Sequence, residues 1–225
     1  MVSSSPKKEI IWHTNILPKN TKKALDALSE QTWLKRSSWY LAGGTALALQ
    51  TGNRQSVDLD FFLPDANFNV GILLKHFEGM DWTTDVLKEG TIYGKFFDAK
   101  VSFIAYPFFV SQQSPVWYGA VRVIQPKDIA VMKVIAISQR GRKRDFYDLY
   151  WCAKNIEPLQ QTLSRLESQY PTVTHDYHHI IKSMAYFEDA ETDPMPKIMF
   201  RASWKEVKSF FQKQAKELML NLVLK

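Results

Sequence analysis

Cysteine and long apolar stretches are scarce in this sequence of 225 residues. The single cysteine, Cys152, has no partner for an internal disulfide, so oxidation cannot stabilise the fold. No stretch approaches the roughly 18 consecutive apolar residues of a transmembrane helix. The N-terminal MVSSSPKKEI lacks the apolar run of a signal peptide. These absences predict a cytoplasmic protein without a membrane anchor.

The chain also lacks a large excess of charge of either sign. The chain has 29 lysines and arginines against 23 acidic residues, which gives a formal net charge of +6. A basic excess favours polyanionic partners, but an excess of this size suits an ordinary basic enzyme equally well. With 45% hydrophobic residues, the chain is long enough to bury a core.

Hydrophobic periodicity divides the chain into a mixed part and a helical part. Residues 1–18 are predicted to be a loosely ordered lead-in. In the mixed part, the predicted helices are 20–36, 45–50 and 67–78, and the predicted strands are 39–42, 57–63, 82–88, 91–97, 100–106 and 119–124. After Pro126, the predicted helices are 127–139, 143–155, 158–169, 174–187 and 201–222. The fold class is therefore α+β: a small mixed sheet with flanking helices in residues 1–125, and a helical subdomain in 126–225 that contributes to the site.

Two carboxylates, Asp58 and Asp60, are two residues apart on the predicted strand 57–63. Side chains on a strand alternate between its faces, so both carboxylates project from one face. The residues on the opposite face, which can reach the core, are Val57, Leu59 and Phe61. Adjacent carboxylates repel each other unless a cation joins them, and Mg²⁺ often bridges carboxylates to substrate phosphates. The alternative, an edge strand with solvated acids, is favoured for an isolated Asp-x-Asp.

A glycine pair, Gly43-Gly44, ends the predicted strand 39–42. Glycine lets the backbone approach a ligand closely, and the helix after it, which Thr45 is placed to cap, points N–H groups and its positive dipole end at that ligand. A triphosphate suits such a place. An ordinary strand-to-helix turn is the alternative for the glycines alone, but a glycine turn followed by the aspartate pair is far more specific.

A second group of charged residues lies in KVIAISQRGRKRDFYDLYWCAK. Lys133 has apolar neighbours on its helix, so it must either reach water along its own stem or point into a site. Asp145 and Asp148 share a helix face and can orient Lys133 or pair with nearby cations. A basic run lies between Lys133 and Asp145, and it either contacts phosphate or RNA backbone or is a solvated turn. Its members are Arg140, Arg142, Lys143 and Arg144.

The segment LAGGTALALQTGNRQSVDLDFF resembles the signature of nucleotidyltransferase-fold proteins, and more narrowly the AbiEii/AbiGii toxin family of type IV toxin–antitoxin systems. The residues that carry this resemblance are Gly43, Gly44, Thr45, Arg54, Ser56, Asp58 and Asp60. The second segment matches the same family at Lys133, Asp145 and Asp148, so the resemblance spans roughly residues 39–150.

The resemblance implies a nucleotidyltransferase-like sheet and an enzyme that transfers an NMP from an NTP to an acceptor hydroxyl, with Mg²⁺, or Mn²⁺ in its place, at Asp58 and Asp60. The implied catalytic residues are Asp58, Asp60, Lys133 and Asp145. The implied nucleotide-binding residues are Gly43, Gly44, Thr45, Arg54, Ser56, Lys133, Arg144 and Asp148. Candidate partners are tRNA as the acceptor and a cognate antitoxin that acts at the level of gene regulation. The alternatives are a small-molecule or protein acceptor, or a nucleotide-binding module without turnover.

One position departs from the family pattern. Active nucleotidyltransferases usually carry a third carboxylate on a later strand, and here Ser102 stands where that acid is expected. Asp98 has the same strand parity but would lie about 13 Å away along a continuous strand. The general base therefore stays open among Asp58, Asp60 and Asp145, and weak or lost catalysis is the further alternative.

Two weaker patterns lie in the helical part. His175 and His179 are four residues apart, as metal ligands on a helix are, but no third ligand is in view and zinc is the minor hypothesis. The last helix carries an apolar stripe that favours core packing over contact with an antitoxin: Trp204, Val207, Phe211, Leu218 and Leu222.

Overall fold

The computed structural model describes residues 10–223, with side chains described up to residue 221. The first nine residues of the predicted lead-in and the side chain of Leu222 lie outside the described residues. The seven strands are β1 (Tyr40–Ala42), β2 (Leu59–Leu63), β3 (Trp82–Lys88), β4 (Thr91–Phe96), β5 (Ala99–Ala105), β6 (Val116–Tyr118) and β7 (Val121–Val123).

Helices flank this sheet and make up most of the chain after β7. The first four are α1 (Lys19–Ser29), α2 (Thr32–Arg36), α3 (Gly43–Thr51) and α4 (Val70–Lys75). The later ones are α5 (Pro126–Arg140), α6 (Lys143–Asn155), α7 (Leu159–Ser164), α8 (Leu166–Gln169), α9 (Tyr177–Met184), α10 (Glu188–Glu191) and α11 (Trp204–Val223). The predicted α+β class, a mixed sheet followed by a helical half, is confirmed.

The strands form one mixed sheet in the order β3-β4-β5-β2-β1-β7-β6. β2 runs parallel to β5 and antiparallel to β1, and β1 runs parallel to β7. In this register Asp60 lies opposite Ser102, and Ser102 lies opposite Tyr93 of β4. Because side chains in register point to the same face of a sheet, these three residues form a row across it.

The buried apolar residues form a single cluster that extends from Leu17 to Leu218. Helix α5 contacts α3, α6 and α9, which joins the sheet side of the molecule to the later helices. Three of the residues predicted for the apolar stripe of α11 are buried: Val207, Phe211 and Leu218. The division into residues 1–125 and 126–225 stays a prediction. In residues 10–223, no helix has the length and apolarity to cross a membrane.

Several predicted elements differ from the structure for tertiary reasons. The predicted strand 119–124 contains β7 and the turn before it at Gly119, which has a φ of 58°, and β6 was not predicted. Helix α3 begins at Gly43, and Thr45 does not cap it, because the Thr45 hydroxyl donates to the Asp58 carbonyl and bonds the Ser56 hydroxyl. Val57 is 47% exposed and does not join the core, because it precedes β2. The predicted helices 20–36 and 158–169 are each split in two.

Candidate active site

The carboxylate pair lies at the start of β2, on the face of the sheet that faces α5 and α6. Asp58 directly precedes the strand, and its carbonyl accepts a hydrogen bond from Thr45. Asp60 lies within the strand, and its Oδ1 accepts a hydrogen bond of 2.7 Å from the Ser102 hydroxyl. The serine that replaces the expected acid therefore binds one oxygen of Asp60.

The surroundings of Asp60 disfavour its negative charge. Burial raises the pKa of Asp60 first, and the nearby negative charge of Asp58 raises it further. The Ser102 hydrogen bond and the positive charges of Arg144 and Lys133 lower it, but the net pKa is raised. A carboxylate in this position is stabilised when either a proton or a cation neutralises its charge.

The glycine turn lies against both the aspartate and a buried arginine. Gly43 has a φ of +68°, and a Cβ there would lie 3.1 Å from Asp60 Oδ2. A Cβ on Gly44 would lie 2.1 Å from Nη2 of Arg54, so a side chain at this position is excluded unless Arg54 moves. No side chain caps α3 at Ala42, so N–H groups of the first turn are available to an anion.

A buried ionic network lies behind this turn. Arg54 binds Asp148 with two hydrogen bonds, from Nε to Oδ1 at 2.7 Å and from Nη2 to Oδ2 at 2.8 Å. Asn53 donates to the same carboxylate at 3.0 Å. Lys133 Nζ lies 2.6 Å from Asp145 Oδ1 and 2.8 Å from Asp148 Oδ2. The network therefore connects the loop after α3 to helices α5 and α6.

The charges of this network stabilise one another. Burial alone would raise the pKa values of Asp145 and Asp148, but their cationic partners lower both. Lys133 is the cation that lowers the pKa of Asp145 most. Arg54 lowers the pKa of Asp148 more than Lys133 does. Burial alone would lower the pKa of Lys133, and the two carboxylates raise it. All three groups therefore stay charged at neutral pH.

The basic run divides into structural and cleft-facing residues. Arg142 binds Asp193 through Nε and Nη2, at 2.9 and 2.6 Å, and Lys143 Nζ donates to the backbone carbonyl of the same aspartate. Arg144 instead reaches Asp58, with Nη1 3.3 Å from Oδ2. Arg140 Nε lies 3.4 Å from Asp145 Oδ2. Only Arg140 and Arg144 of the run line the same cleft as the carboxylates.

A cleft of about 630 Å³ brings most of the predicted site residues together. Those that line it are Gly43, Gly44, Arg54, Ser56, Asp58, Asp60, Lys133 and Arg144. The remaining three, Thr45, Asp145 and Asp148, lie behind its surface, and each bonds a residue that is part of the lining.

Two further parts of this cleft were not predicted from the sequence. One is apolar and aromatic: Phe62, Ile104, Tyr106, Met132 and Tyr170. The other comes from β3, β4 and the start of β5: Asp85, Val86, Tyr93 and Lys100. The order of polar and apolar residues along β4 and β5 was the available signal, since strand alternation on that order places Tyr93 and Ser102 on one face.

The histidine pair does not converge on a common point. His175 precedes α9 and contacts the carbonyl of Tyr170, whereas His179 contacts the carbonyl of Ser138. Among the described residues, no group of three or more His, Cys, Asp or Glu side chains is placed to hold a metal ion. A divalent cation at Asp58 and Asp60 would therefore need oxygen ligands from a substrate or water.

Comparison with known proteins gives one family match over most of the chain. A family model described as "Nucleotidyl transferase AbiEii toxin, Type IV TA system" matches residues 24–80 and 99–219. An uncharacterized protein of Aquifex aeolicus (strain VF5) is 33% identical over 198 residues, which cover 82% of this chain and 90% of that protein.

Two solved structures share the fold at low sequence identity. A candidate nucleotidyltransferase from H. pylori superposes with a TM-score of 0.50 at 18% identity, covering 88% of this chain and 96% of its own. The nucleotidyltransferase toxin MenT4 of Mycobacterium tuberculosis H37Rv has a TM-score of 0.50 at 16% identity, covering 87% of this chain and 82% of its own. Both similarities support the nucleotidyltransferase fold.

Proposed function

This chain belongs to the AbiEii family of nucleotidyltransferase toxins from type IV toxin–antitoxin systems, and we propose that it transfers an NMP from an NTP to an acceptor hydroxyl in the cleft over β2 and β5. The observation that carries the proposal is the position of Asp58 and Asp60 beside the Gly43-Gly44 turn, in a cleft of about 630 Å³.

A divalent cation fits the carboxylate pair. Asp60 has a raised pKa, because of its burial and because a second carboxylate lies close by, and a bound cation removes both costs. Two carboxylates with oxygen ligands from phosphates and water are a typical Mg²⁺ site. Asp58 and Asp60 would hold Mg²⁺, or Mn²⁺, and the ion would supply charge stabilisation for the transferring phosphoryl group.

The triphosphate lies on the glycine side of the carboxylates in this proposal. N–H groups of the first turn of α3 and the hydroxyl of Ser56 face it, and Arg144 supplies a positive charge at the cleft surface. Lys133 uses two of its three N–H donors on Asp145 and Asp148. Its third N–H is free to bind a phosphate oxygen, and the two aspartates act as positioning residues.

The acceptor oxygen attacks the α-phosphorus, the bond to the bridging oxygen breaks, and pyrophosphate leaves. The acceptor proton passes to Asp60 Oδ1, the oxygen that holds the Ser102 hydroxyl at 2.7 Å. Asp60 lines the cleft, whereas Asp145 lies behind its surface and is paired with Lys133 and Arg140. Asp60 is therefore our candidate for the general base in the absence of a third carboxylate.

We infer that tRNA is the acceptor and that a cognate antitoxin acts on expression of the toxin gene, as the family implies. A cytoplasmic location belongs to the same proposal, supported by the buried, unpaired Cys152. Incubation with each labelled NTP, Mg²⁺ and total tRNA tests the reaction. We expect label in the tRNA, and a loss of about 100-fold or more in Asp58→Asn and Asp60→Asn. Asp65→Asn, at an exposed site outside the cleft, is the matched control.

A binding module without turnover is the second candidate, and Ser102 is the observation that favours it. Calorimetry with each of the four NTPs tests this candidate. If it holds, at least one NTP binds and no pyrophosphate is released. Ser102→Asp would then produce pyrophosphate release, because it adds an acid opposite Asp60. Label transfer by the wild-type chain would exclude this candidate.

A further inference from the structure

We infer that the hairpin of β3 and β4 forms the acceptor side of the cleft, and that Tyr93 stacks on the terminal base of a nucleic-acid acceptor. The inference rests on the proposed nucleotidyl transfer and adds where and how the acceptor binds.

The direction of attack follows from the position of the glycine turn. Gly43 follows β1, and β1 and β5 lie on opposite sides of β2 in the sheet. In an in-line displacement the attacking oxygen approaches opposite the leaving group. If pyrophosphate leaves on the glycine side of Asp60, the acceptor must approach from the side of β5 and β4.

The register places Tyr93 at a suitable distance on that side. Asp60, Ser102 and Tyr93 are paired in sequence across β2, β5 and β4. Two strand spacings separate the backbones of Asp60 and Tyr93 by about 10 Å, which leaves room for the ribose that joins the reacting hydroxyl to the stacked terminal base. The Tyr93 side chain is 45% exposed and lines the cleft, so its ring is accessible.

The charged residues near Tyr93 are two lysines and Asp85, whose carboxylate lines the same part of the cleft. Lys95 and Lys100 are directly paired across β4 and β5, and by alternation they lie on the same face of the sheet as Tyr93 and Ser102. Lys100 lines the cleft, and Lys95 lies beside it outside the lining. Like charges placed opposite each other are unfavourable without an anion between them. An aromatic ring beside two lysines is the usual combination for single-stranded nucleic acid.

The hairpin is also the part of the chain that the family model passes over. The match stops at residue 80 and resumes at residue 99, and β3 and β4 occupy the interval. A bulge between Thr84 and Val86 shifts the register of β3, and Asp85 and Val86 both line the cleft beside it. The β3–β4 hairpin therefore lies outside the part of the chain that matches the family model, as we expect of an element that selects the acceptor.

Binding of fluorescently labelled total tRNA, measured by anisotropy without NTP, tests the inference, with calorimetry of each NTP in parallel. We expect Tyr93→Ala to weaken tRNA binding about tenfold and to leave the Kd of the NTP within about twofold. Tyr93→Phe keeps the ring and should bind tRNA like the wild type. Leu87→Ala is the matched control, because Leu87 lies on the same hairpin, is 55% exposed and does not line the cleft.

Two outcomes would overturn the inference. One is unchanged tRNA affinity in Tyr93→Ala, and the other is an equal loss in Leu87→Ala, which would mean that any damage to the hairpin has this effect. A wild-type chain that binds NTP but not tRNA would overturn the nucleic-acid acceptor and leave nucleotidyl transfer to another acceptor standing. A wild-type chain that binds no NTP would instead count against the proposed function itself.

Discussion

Asp60 lies in an environment that disfavours its own charge, so function and stability conflict at this residue. Its folded-state pKa is raised, and the free energy of unfolding therefore falls as the pH rises through that pKa. An asparagine has no charge to lose in this way. We expect Asp60→Asn to raise the free energy of unfolding at neutral pH by about 1 kcal/mol while nucleotidyl transfer is lost.

Urea unfolding with and without Mg²⁺ measures both effects. Mg²⁺ should raise the free energy of unfolding of the wild type, because it binds the folded state, and should have little effect on Asp60→Asn. Asp65→Asn, exposed and outside the cleft, should respond to Mg²⁺ like the wild type. An Asp60→Asn variant that is both less stable and still responsive to Mg²⁺ would count against a cation at this carboxylate.

Gly44 allows the glycine turn and the buried network to lie in contact. A Cβ at this position would lie 2.1 Å from Arg54 Nη2, so Gly44→Ala must displace the arginine from Asp148. We expect a loss of about 3 kcal/mol in the free energy of unfolding and weaker NTP binding. Gly71→Ala is the control, since its Cβ would meet only Asn69 Oδ1, at 3.4 Å, within the short helix α4. Equal stability of the two variants would contradict this account.

Residues that act through local geometry were predictable, and those that meet across the chain were not. The shared face of Asp58 and Asp60 follows from strand alternation alone. The link between Arg54 and Asp148 joins residues 94 positions apart, and no local pattern indicates it. The sequence suggested that Lys133 either reaches water or enters a site, but its enclosure by two carboxylates depends on how α5 packs against α6.

Among the elements, the strands β3 to β5 were predicted almost to the residue, because glycines separate them and residues of alternating character occur in β4 and β5. In the hairpin of β6 and β7, only β7 was predicted, because the turn between the strands depends on tertiary contact. A Cβ on Gly119 would lie 2.5 Å from the carbonyl of Ser29, in α1. The function of the β3–β4 hairpin was not predictable, since only the register shows Tyr93 in the row of Asp60.

The hairpin and β5 also carry a prediction that concerns salt. If Lys95 and Lys100 contact acceptor phosphates, each contributes to counterion release. The slope of log K for tRNA binding against log salt should become shallower by roughly one for each of Lys95→Gln and Lys100→Gln. Lys75→Gln, on α4 and away from the lysine pair of β4 and β5, should leave the slope unchanged. If all three variants keep the wild-type slope, Lys95 and Lys100 do not contact the acceptor phosphates.

The whole molecule is held together at the site by charge as well as by its core. The network of Arg54, Lys133, Asp145 and Asp148 connects the loop after α3 with α5 and α6. A buried ion pair contributes little net stability, but breaking one leaves an uncompensated charge and is costly. The network therefore holds these segments in one arrangement, and it makes the stability of the whole fold sensitive to acid.

The sign of that sensitivity follows from the lowered pKa values of Asp145 and Asp148. Their contribution to the free energy of unfolding is complete above the unfolded-state pKa, about 4, and is lost as the pH falls toward their folded values. We expect Asp148→Asn to cost about 3–5 kcal/mol at neutral pH and to flatten the loss of stability in acid. Urea unfolding from about pH 3 to about pH 8 measures this. The exposed Asp189→Asn should follow the wild-type curve, and a parallel curve for Asp148→Asn would mean that other carboxylates determine the acid response.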